Sequence, residues 1–193
     1  MREFSLFMWQ LLRHPKRTSA IAPSSRGLAQ QMVAEITKDT GQVVEIGAGT
    51  GVFSRAILAA GVAPKDLTIV EMNPGFCNAL KTRFPACNVL EMDAQHLGKL
   101  QLENVNMVIS GLPLLSIPEP VQHNIIKGAF DLMQPGGKYV QFTYGPKPPI
   151  APAVRAANDL QWRTLKKIWL NLPPAMPYVF SQNSAIVSQA KQG

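Results

Sequence analysis

The segment Glu45-Ile46-Gly47-Ala48-Gly49-Thr50-Gly51 sets a carboxylate and three glycines at alternate positions, directly after the apolar run Gln42 to Ile46. Glycines so spaced let a backbone turn tightly and approach a ligand closely, because no Cβ intervenes. A dinucleotide fingerprint would need a third small residue at position 52, which is Val52. Two more acids follow apolar runs: Glu71 closes LTIVE, and Asp93 stands in EMDA with Ala94 beside it. Ser110-Gly111-Leu112-Pro113 ends a further run, VNMVIS. Taken singly, each is equally a tight turn or a helix cap. Four such features in order, each at the carboxyl end of a strand, are where an open α/β sheet binds its ligand.

The elements that must position them alternate between short β-type runs and helical ones, which predicts a mostly parallel sheet with crossover helices. Helices are expected over 26–39, 51–60, from Pro74, and over 119–133, the last closed by Pro135-Gly136-Gly137. Strands are expected at Gln42–Ile46, Leu67–Glu71, Asn88–Met92, Val105–Ser110 and Lys138–Tyr144, then Trp162–Leu172 and Tyr178–Ser188 after a Pro-rich loop. Residues 26–193 read as one domain, preceded by a basic segment over 1–25.

The chain has 193 residues, 46% of them hydrophobic, and a net charge of +7. That excludes a disordered tail and allows a real core. Cys77 and Cys87 make neither a disulfide framework nor a four-ligand zinc site, so no metal is expected and a reducing cytoplasm is the default. Both cysteines read as small core residues, His96 and His123 as surface residues, and no His, Asp and Ser set points to a hydrolase. Charge is uneven: residues 1–27 and 150–193 each carry +4 and the middle −1. Basic flanks on a neutral body suit an anionic partner, either nucleic acid or a lipid surface.

The E-x-G-x-G-x-G spacing resembles motif I of the class I S-adenosylmethionine-dependent methyltransferases. The resemblance implies a Rossmann-like α/β fold, a seven-stranded mostly parallel sheet with helices on both faces. It also implies a cofactor, S-adenosylmethionine, released as S-adenosylhomocysteine. Glu45, Gly47, Ala48, Gly49 and Gly51 would wrap its methionine end. Glu71 would accept from both ribose hydroxyls, Met72 would pack on the adenine, and Asp93 with Ala94 would receive the adenine amine. Ser110 and Gly111 lie where the family places the acceptor amine.

TSAIAPSSRGLAQQM, SGLPLL, QFTYGP and IWLNLPPAMPYVF, spanning Thr18 to Phe180, look like the bacterial phosphatidylethanolamine N-methyltransferases. That similarity implies successive methylation of a phospholipid headgroup amine towards phosphatidylcholine. The cofactor half also resembles ribosomal RNA adenine dimethylases, whose G-N-L-P-Y motif holds a planar amine with an amide and a ring. Here the stretch is Ser110-Gly111-Leu112-Pro113-Leu114, with neither group. About fifty residues follow Tyr144, too few for two strands and an RNA-binding domain. No nucleic-acid partner is expected; RNA methylation and a non-catalytic cofactor-binding module stand as alternatives. An alkyl amine must lose a proton before it attacks. Tyr144 is the candidate acceptor, with carbonyls near Gly111, although an aromatic ending a buried strand reads equally well.

Phe4, Phe7, Met8, Leu11 and Leu12 recur at helical spacing, with Arg13, Lys16 and Arg17 following. This predicts an amphipathic helix on the cytoplasmic face of an anionic membrane, or else a lid on the protein's own sheet. Arg13-His14-Pro15-Lys16-Arg17 argues against a cleaved leader, and no apolar run is long enough to span a bilayer. Trp162, Arg163, Lys166, Lys167 and Trp169 repeat the aromatic and basic combination; here packing against the core as edge strands is expected.

Overall fold

Apolar side chains alternate to both faces along the central strands, the pattern of a sheet covered on two sides. A computed structural model describes residues 22–169 and 174–183. It contains strands β1 (Gln42–Ile46), β2 (Leu67–Glu71), β3 (Asn88–Glu91), β4 (Val105–Ser110), β5 (Met133–Thr143), β6 (Leu160–Thr164) and β7 (Met176–Gln182). Helices are α1 (Ala22–Met32), α2 (Val52–Ala59), α3 (Pro74–Arg83), α4 (Glu119–Leu132) and α5 (Pro152–Ala157). The strand order is β3-β2-β1-β4-β5-β7-β6. β1 to β5 pair in parallel, and β7 runs antiparallel between β5 and β6. The expected seven-stranded Rossmann-like fold is the one found.

Val43, Leu67, Ile69 and Ile109 pack with Leu28 and Met32 of α1, Ile57 of α2 and Leu80 of α3. Val44, Ile46, Val70 and Val108 pack on the other face with Ile125, Ile126 and Ala129 of α4 and Val154 of α5. Each fully buried side chain of this size contributes about 1.5–3 kcal/mol through loss of water contact. The chain turns from β1 outward to β2 and β3, then returns to place β4 on the other side of β1. A crevice therefore opens at the carboxyl ends of β1 and β4.

Several boundaries differ from expectation. α1 starts at Ala22, four residues early, and its α-helix ends at Met32. The Thr37-Lys38-Asp39-Thr40 turn beyond it is locked by Thr37 N–H donating to Thr40 Oγ1, at 2.9 Å. β5 begins at Met133, and Gln134 to Gly137 form a bulge between the Val105–Met133 and Met107–Lys138 pairs. The Pro-rich stretch contains the short helix α5, started by Pro152. A 3₁₀ helix at Ala94–Lys99 was not read from sequence at all. β6 is shorter than expected: its ladder thins after Thr164 and resumes as a single Ile168–Ala175 bridge. Core packing of the 162–169 segment is only half met. Leu165 and Ile168 join the α1-side core, but Trp162 is 46% and Trp169 71% exposed. β6 is the last strand of the sheet, so no further strand lies beyond it to cover those rings.

Residues 1–17, with the expected amphipathic helix, lie outside the described residues, as does the possibility of a lid. Among those described, no helix is long and apolar enough to cross a membrane.

One glycine contact carries the 3₁₀ helix that bears Asp93. A Cβ on Gly128 of α4 would lie 2.9 Å from the Gly98 nitrogen. Gly128→Ala should therefore push that helix away and cost about 1–3 kcal/mol, read as a lower melting temperature with the parent secondary structure retained.

Candidate active site

Alternation along β1 directs Glu45 towards α2, although its neighbours on that face are apolar. The side chain is fully buried. One carboxylate oxygen accepts from the Ser54 hydroxyl. The other, Oε1, has no hydrogen-bond partner among the described residues. Burial pushes the Glu45 carboxyl up to about 7; the Ser54 hydroxyl and N–H bonds pull against that shift, while the nearby Glu71 carboxylate adds to it. A buried oxygen left without a donor costs about 1–3 kcal/mol or more, so the site is complete only when a donor arrives.

The glycine loop lies directly above. Gly47, Gly49 and Gly51 adopt φ values of 68°, 53° and 78°, the left-handed region that side chains disfavour. A Cβ on Gly49 would meet nothing within 4 Å, so the loop presents bare backbone to open space there. Glu71, nearly buried at the end of β2, ties this loop to the next. Its two oxygens accept from Gly49 N–H at 2.9 Å and Asn73 N–H at 2.8 Å. Asn73, which the sequence reading passed over, caps α3 by accepting from the Gly75 and Phe76 N–H groups. Met72 beside it is 66% exposed, an unusual exposure for a side chain of its type. Ala48 is buried beneath the loop.

Asp93 caps the 3₁₀ helix: its oxygens accept from Gln95 N–H at 2.9 Å and from Gln95 Nε2 at 3.1 Å. The cap reading of this residue therefore holds, and any ligand contact shares its remaining lone pairs. Ala94 is buried next to it. Ser110 departs from expectation. It is fully buried and its Oγ accepts from Leu112 N–H at 3.3 Å, so the hydroxyl holds the loop instead of meeting a ligand.

Gln141, missed in the sequence, grips the backbone of the same residue, Leu112, at its carbonyl. Its Nε2 donates to the Leu112 carbonyl at 2.8 Å. Tyr139 donates to Gln141 Oε1 at 3.4 Å and bonds with Ser110; burial raises its pKa, which keeps it a neutral donor. The signal was present as an amide amid the apolar β5 sequence YVQFTY. Gly111 donates its N–H to the Ile46 carbonyl at 2.8 Å, and a Cβ there would fall 2.6 Å from Gly47 O. The two loops thus touch through bare backbone. Tyr144 follows β5 at the same sheet end and packs edge-on against Phe142, with centroids 5.3 Å apart. Phe142 in turn meets Phe53 of α2 at 5.9 Å.

The orphaned Glu45 oxygen, the open cradle at Gly49 and the Glu71 carboxylate fit S-adenosylmethionine, which offers an ammonium, a flexible chain and ribose hydroxyls. Among the described residues no group of His, Cys, Asp and Glu could hold a metal.

Glu45 has a folded-state pKa raised above its ordinary 4.5, so its contribution to stability is full below that value and is lost as pH rises through about 7. In the ligand-free protein the loss is about 3 kcal/mol, and Glu45→Gln should flatten the melting-temperature profile between about pH 5 and pH 8. Binding of the cofactor's ammonium should release a proton near neutrality, seen as a buffer-dependent heat in calorimetry that Glu45→Gln abolishes. Glu71→Ala removes the loop clamp and, with it, the expected acceptors for the ribose hydroxyls, and should weaken cofactor affinity about a hundredfold by calorimetry; unchanged affinity would refute the role expected of Glu71.

Residues 43–137 match the methyltransferase domain family. The ornithine lipid N-methyltransferase of Singulisphaera acidiphila is 32% identical over 155 residues, covering 76% of this chain and 80% of that protein. A probable ribosomal RNA small subunit methyltransferase A of Methanococcoides burtonii is 33% identical over 91 residues, covering 47% of this chain and 32% of that protein. The crystal structure of a TehB-like S-adenosylmethionine-dependent methyltransferase from Corynebacterium glutamicum superposes with a TM-score of 0.62 at 13% identity, over 88% of this chain and 100% of that one. The chain is thus similar in sequence to a lipid N-methyltransferase and shares the fold of the wider group; it belongs to the class I S-adenosylmethionine-dependent methyltransferases.

Proposed function

We propose that the protein methylates the amine of a membrane-lipid headgroup, phosphatidylethanolamine and its methylated forms, at the cytoplasmic surface of the membrane. One observation carries this choice over RNA. The loop that would grip an adenine has backbone against Gly111, where a Cβ would lie 2.6 Å from Gly47 O, so an asparagine side chain has no room. At the next diagnostic position Leu114 is 1% exposed and belongs to the core, with no face to stack on a base. With no amide at position 111 and no ring at position 114, this loop has nothing to hold a planar conjugated amine, whereas an alkyl amine needs only a proton acceptor and an apolar wall.

When bound, the cofactor supplies an electrophilic methyl group on a sulfonium. The residues of this chain prepare the acceptor for it. A primary alkyl ammonium with a pKa of about 10 is almost fully protonated near neutrality. The Tyr144 hydroxyl accepts a hydrogen bond from the ammonium; as the amine's proton passes to it, the hydroxyl's own proton leaves to bulk water, which frees the amine lone pair. The Tyr144, Phe142 and Phe53 rings then favour the increasingly methylated cation. Gln141 and Ser110 hold the Leu112 peptide so that the acceptor loop keeps its place. Residues 26–193 form the catalytic domain, and the basic amphipathic segment, with Phe4, Phe7, Met8, Leu11, Arg13, Lys16 and Arg17, lies on anionic lipid.

A second acceptor is favoured by the sequence relative, whose name gives ornithine lipid. Its free amine poses the same chemical problem. Labelled S-adenosylmethionine with vesicles containing phosphatidylethanolamine, or ornithine lipid, decides between them through the lipid that becomes labelled. Label in neither, with cofactor binding confirmed, would refute the lipid reading. Tyr144→Phe should lower kcat about a hundredfold and shift its pH optimum upward, because the amine must then lose its proton unaided; Tyr144→Leu should in addition slow the last methylation most.

A further inference from the structure

The β6–β7 connection sits at the working end of the sheet. β7 begins at Met176, paired with Thr143 at the carboxyl end of β5. β6 ends at Thr164, paired with Tyr178 near the start of β7. The described residues of the connection, 165–169 and 174–175, therefore lie at the same edge as the glycine loop, Glu71, Gly111 and Tyr144. β6 is three strands from β4, roughly 15 Å across the sheet.

The connection is stiffly rooted. Leu165 N–H donates to Pro177 O at 2.9 Å, and Ile168 and Ala175 exchange bonds of 2.9 and 3.2 Å. Leu165 and Ile168 pack into the core. The residues between and after them point outward. Lys166 and Lys167 are exposed, and Trp169 is 71% exposed, the most open large apolar side chain among the described residues. Lys167 Nζ lies 3.8 Å from the centre of the Trp169 ring, so cation and ring share one outward position. Neither lysine has an ion pair among the described residues. The sequence holds no acid after Asp159, whereas Arg163, Lys166, Lys167 and Lys191 follow it.

An indole with an apolar body and a polar N–H suits the bilayer interface, and lysines beside it suit lipid phosphates. Gly27 of α1 also packs here: its would-be Cβ lies 3.4 Å from Ile168 Cγ2.

We propose that the β6–β7 connection docks the protein on an anionic phospholipid bilayer, with Trp169 at headgroup depth and Lys166 and Lys167 on lipid phosphates, turning the catalytic edge of the sheet towards the membrane. This rests on the lipid-headgroup reading above. Because a lipid acceptor keeps its tails in the bilayer, the cleft must face the surface, and a docking point on the same edge orients it so.

The test is sedimentation of the full chain with vesicles of phosphatidylcholine alone and of phosphatidylcholine mixed with phosphatidylglycerol. The parent should bind the anionic vesicles and release with salt. Lys166→Gln with Lys167→Gln should weaken that binding about thirtyfold, at about fivefold for each charge. Trp169→Ala should weaken it as well, and Trp169→Phe should remove the blue-shifted part of the fluorescence seen on vesicle addition. Cofactor affinity by calorimetry and methylation of a detergent-dispersed lipid amine should match the parent for every variant, which shows that the fold and site are intact. Variants that sediment as the parent does overturn the proposal, as does lost binding to structured RNA with vesicle binding unchanged. If the parent docks through this loop and methylates no lipid amine, the acceptor reading fails while the docking surface stands.

Discussion

The contact between two bare stretches of backbone, Gly47 on the β1 loop and Gly111 on the β4 loop, is the constraint on which the site depends. Gly111 N–H reaches the Ile46 carbonyl at 2.8 Å, and neither glycine tolerates a side chain: a Cβ on Gly47 would strike Leu112 at 2.5 Å, and one on Gly111 would strike Gly47 O at 2.6 Å. The contact joins the two strands on either side of the crevice where the strand order reverses. It therefore locates the cofactor loop against the acceptor loop. It also excludes an amide side chain at the position where a base-methylating site would need one. Under the proposed lipid function, the same close approach that builds the crevice leaves it to an acceptor that needs no such grip.

Around that contact, two carboxylates on neighbouring strands are wired in opposite ways. Glu71 gives both oxygens to backbone N–H groups, one of the glycine loop and one of Asn73. Glu45 lies deeper and has one oxygen satisfied by Ser54 and one satisfied by nothing, so burial favours its neutral form. The first carboxylate shapes the glycine loop. The second carries a cost that a cation placed beside it would relieve, so cofactor capture is expected to be coupled to a proton. On the far side of the crevice the Tyr139, Gln141 and Ser110 network, wholly buried, fixes the Leu112 peptide at both its N–H and its carbonyl.

The net charge of +7 acquires a direction from this arrangement. Near-neutral residues build the cofactor body. In the folded chain the β6–β7 connection brings Lys166, Lys167 and Trp169 to the carboxyl edge, where Gly27 of α1 lies against Ile168. Under the proposed lipid function, that edge is the one that meets the bilayer.

The sequence by itself determined the strands, their parallel arrangement, the glycine loop and the acids that follow it, because each depends on local pattern. A buried two-faced strand must be continuously apolar, and a tight turn at positive φ must be glycine. It did not disclose the 3₁₀ helix at 94–99 or the six residues of α5, which are too short to show a period. Nor did it reveal the role of Gln141, since an amide in a strand acquires meaning only from what lies opposite it. The placement of Ser110 under the loop, the orphaned oxygen of Glu45 and the exposure of Trp169 were likewise decided by tertiary structure. All three depend on neighbours distant in sequence: Leu112 held by Gln141, Ser54 brought over β1 by α2, and a terminal strand with no further strand beyond it. Local pattern specifies which way a side chain alternates, and only packing specifies what it meets there.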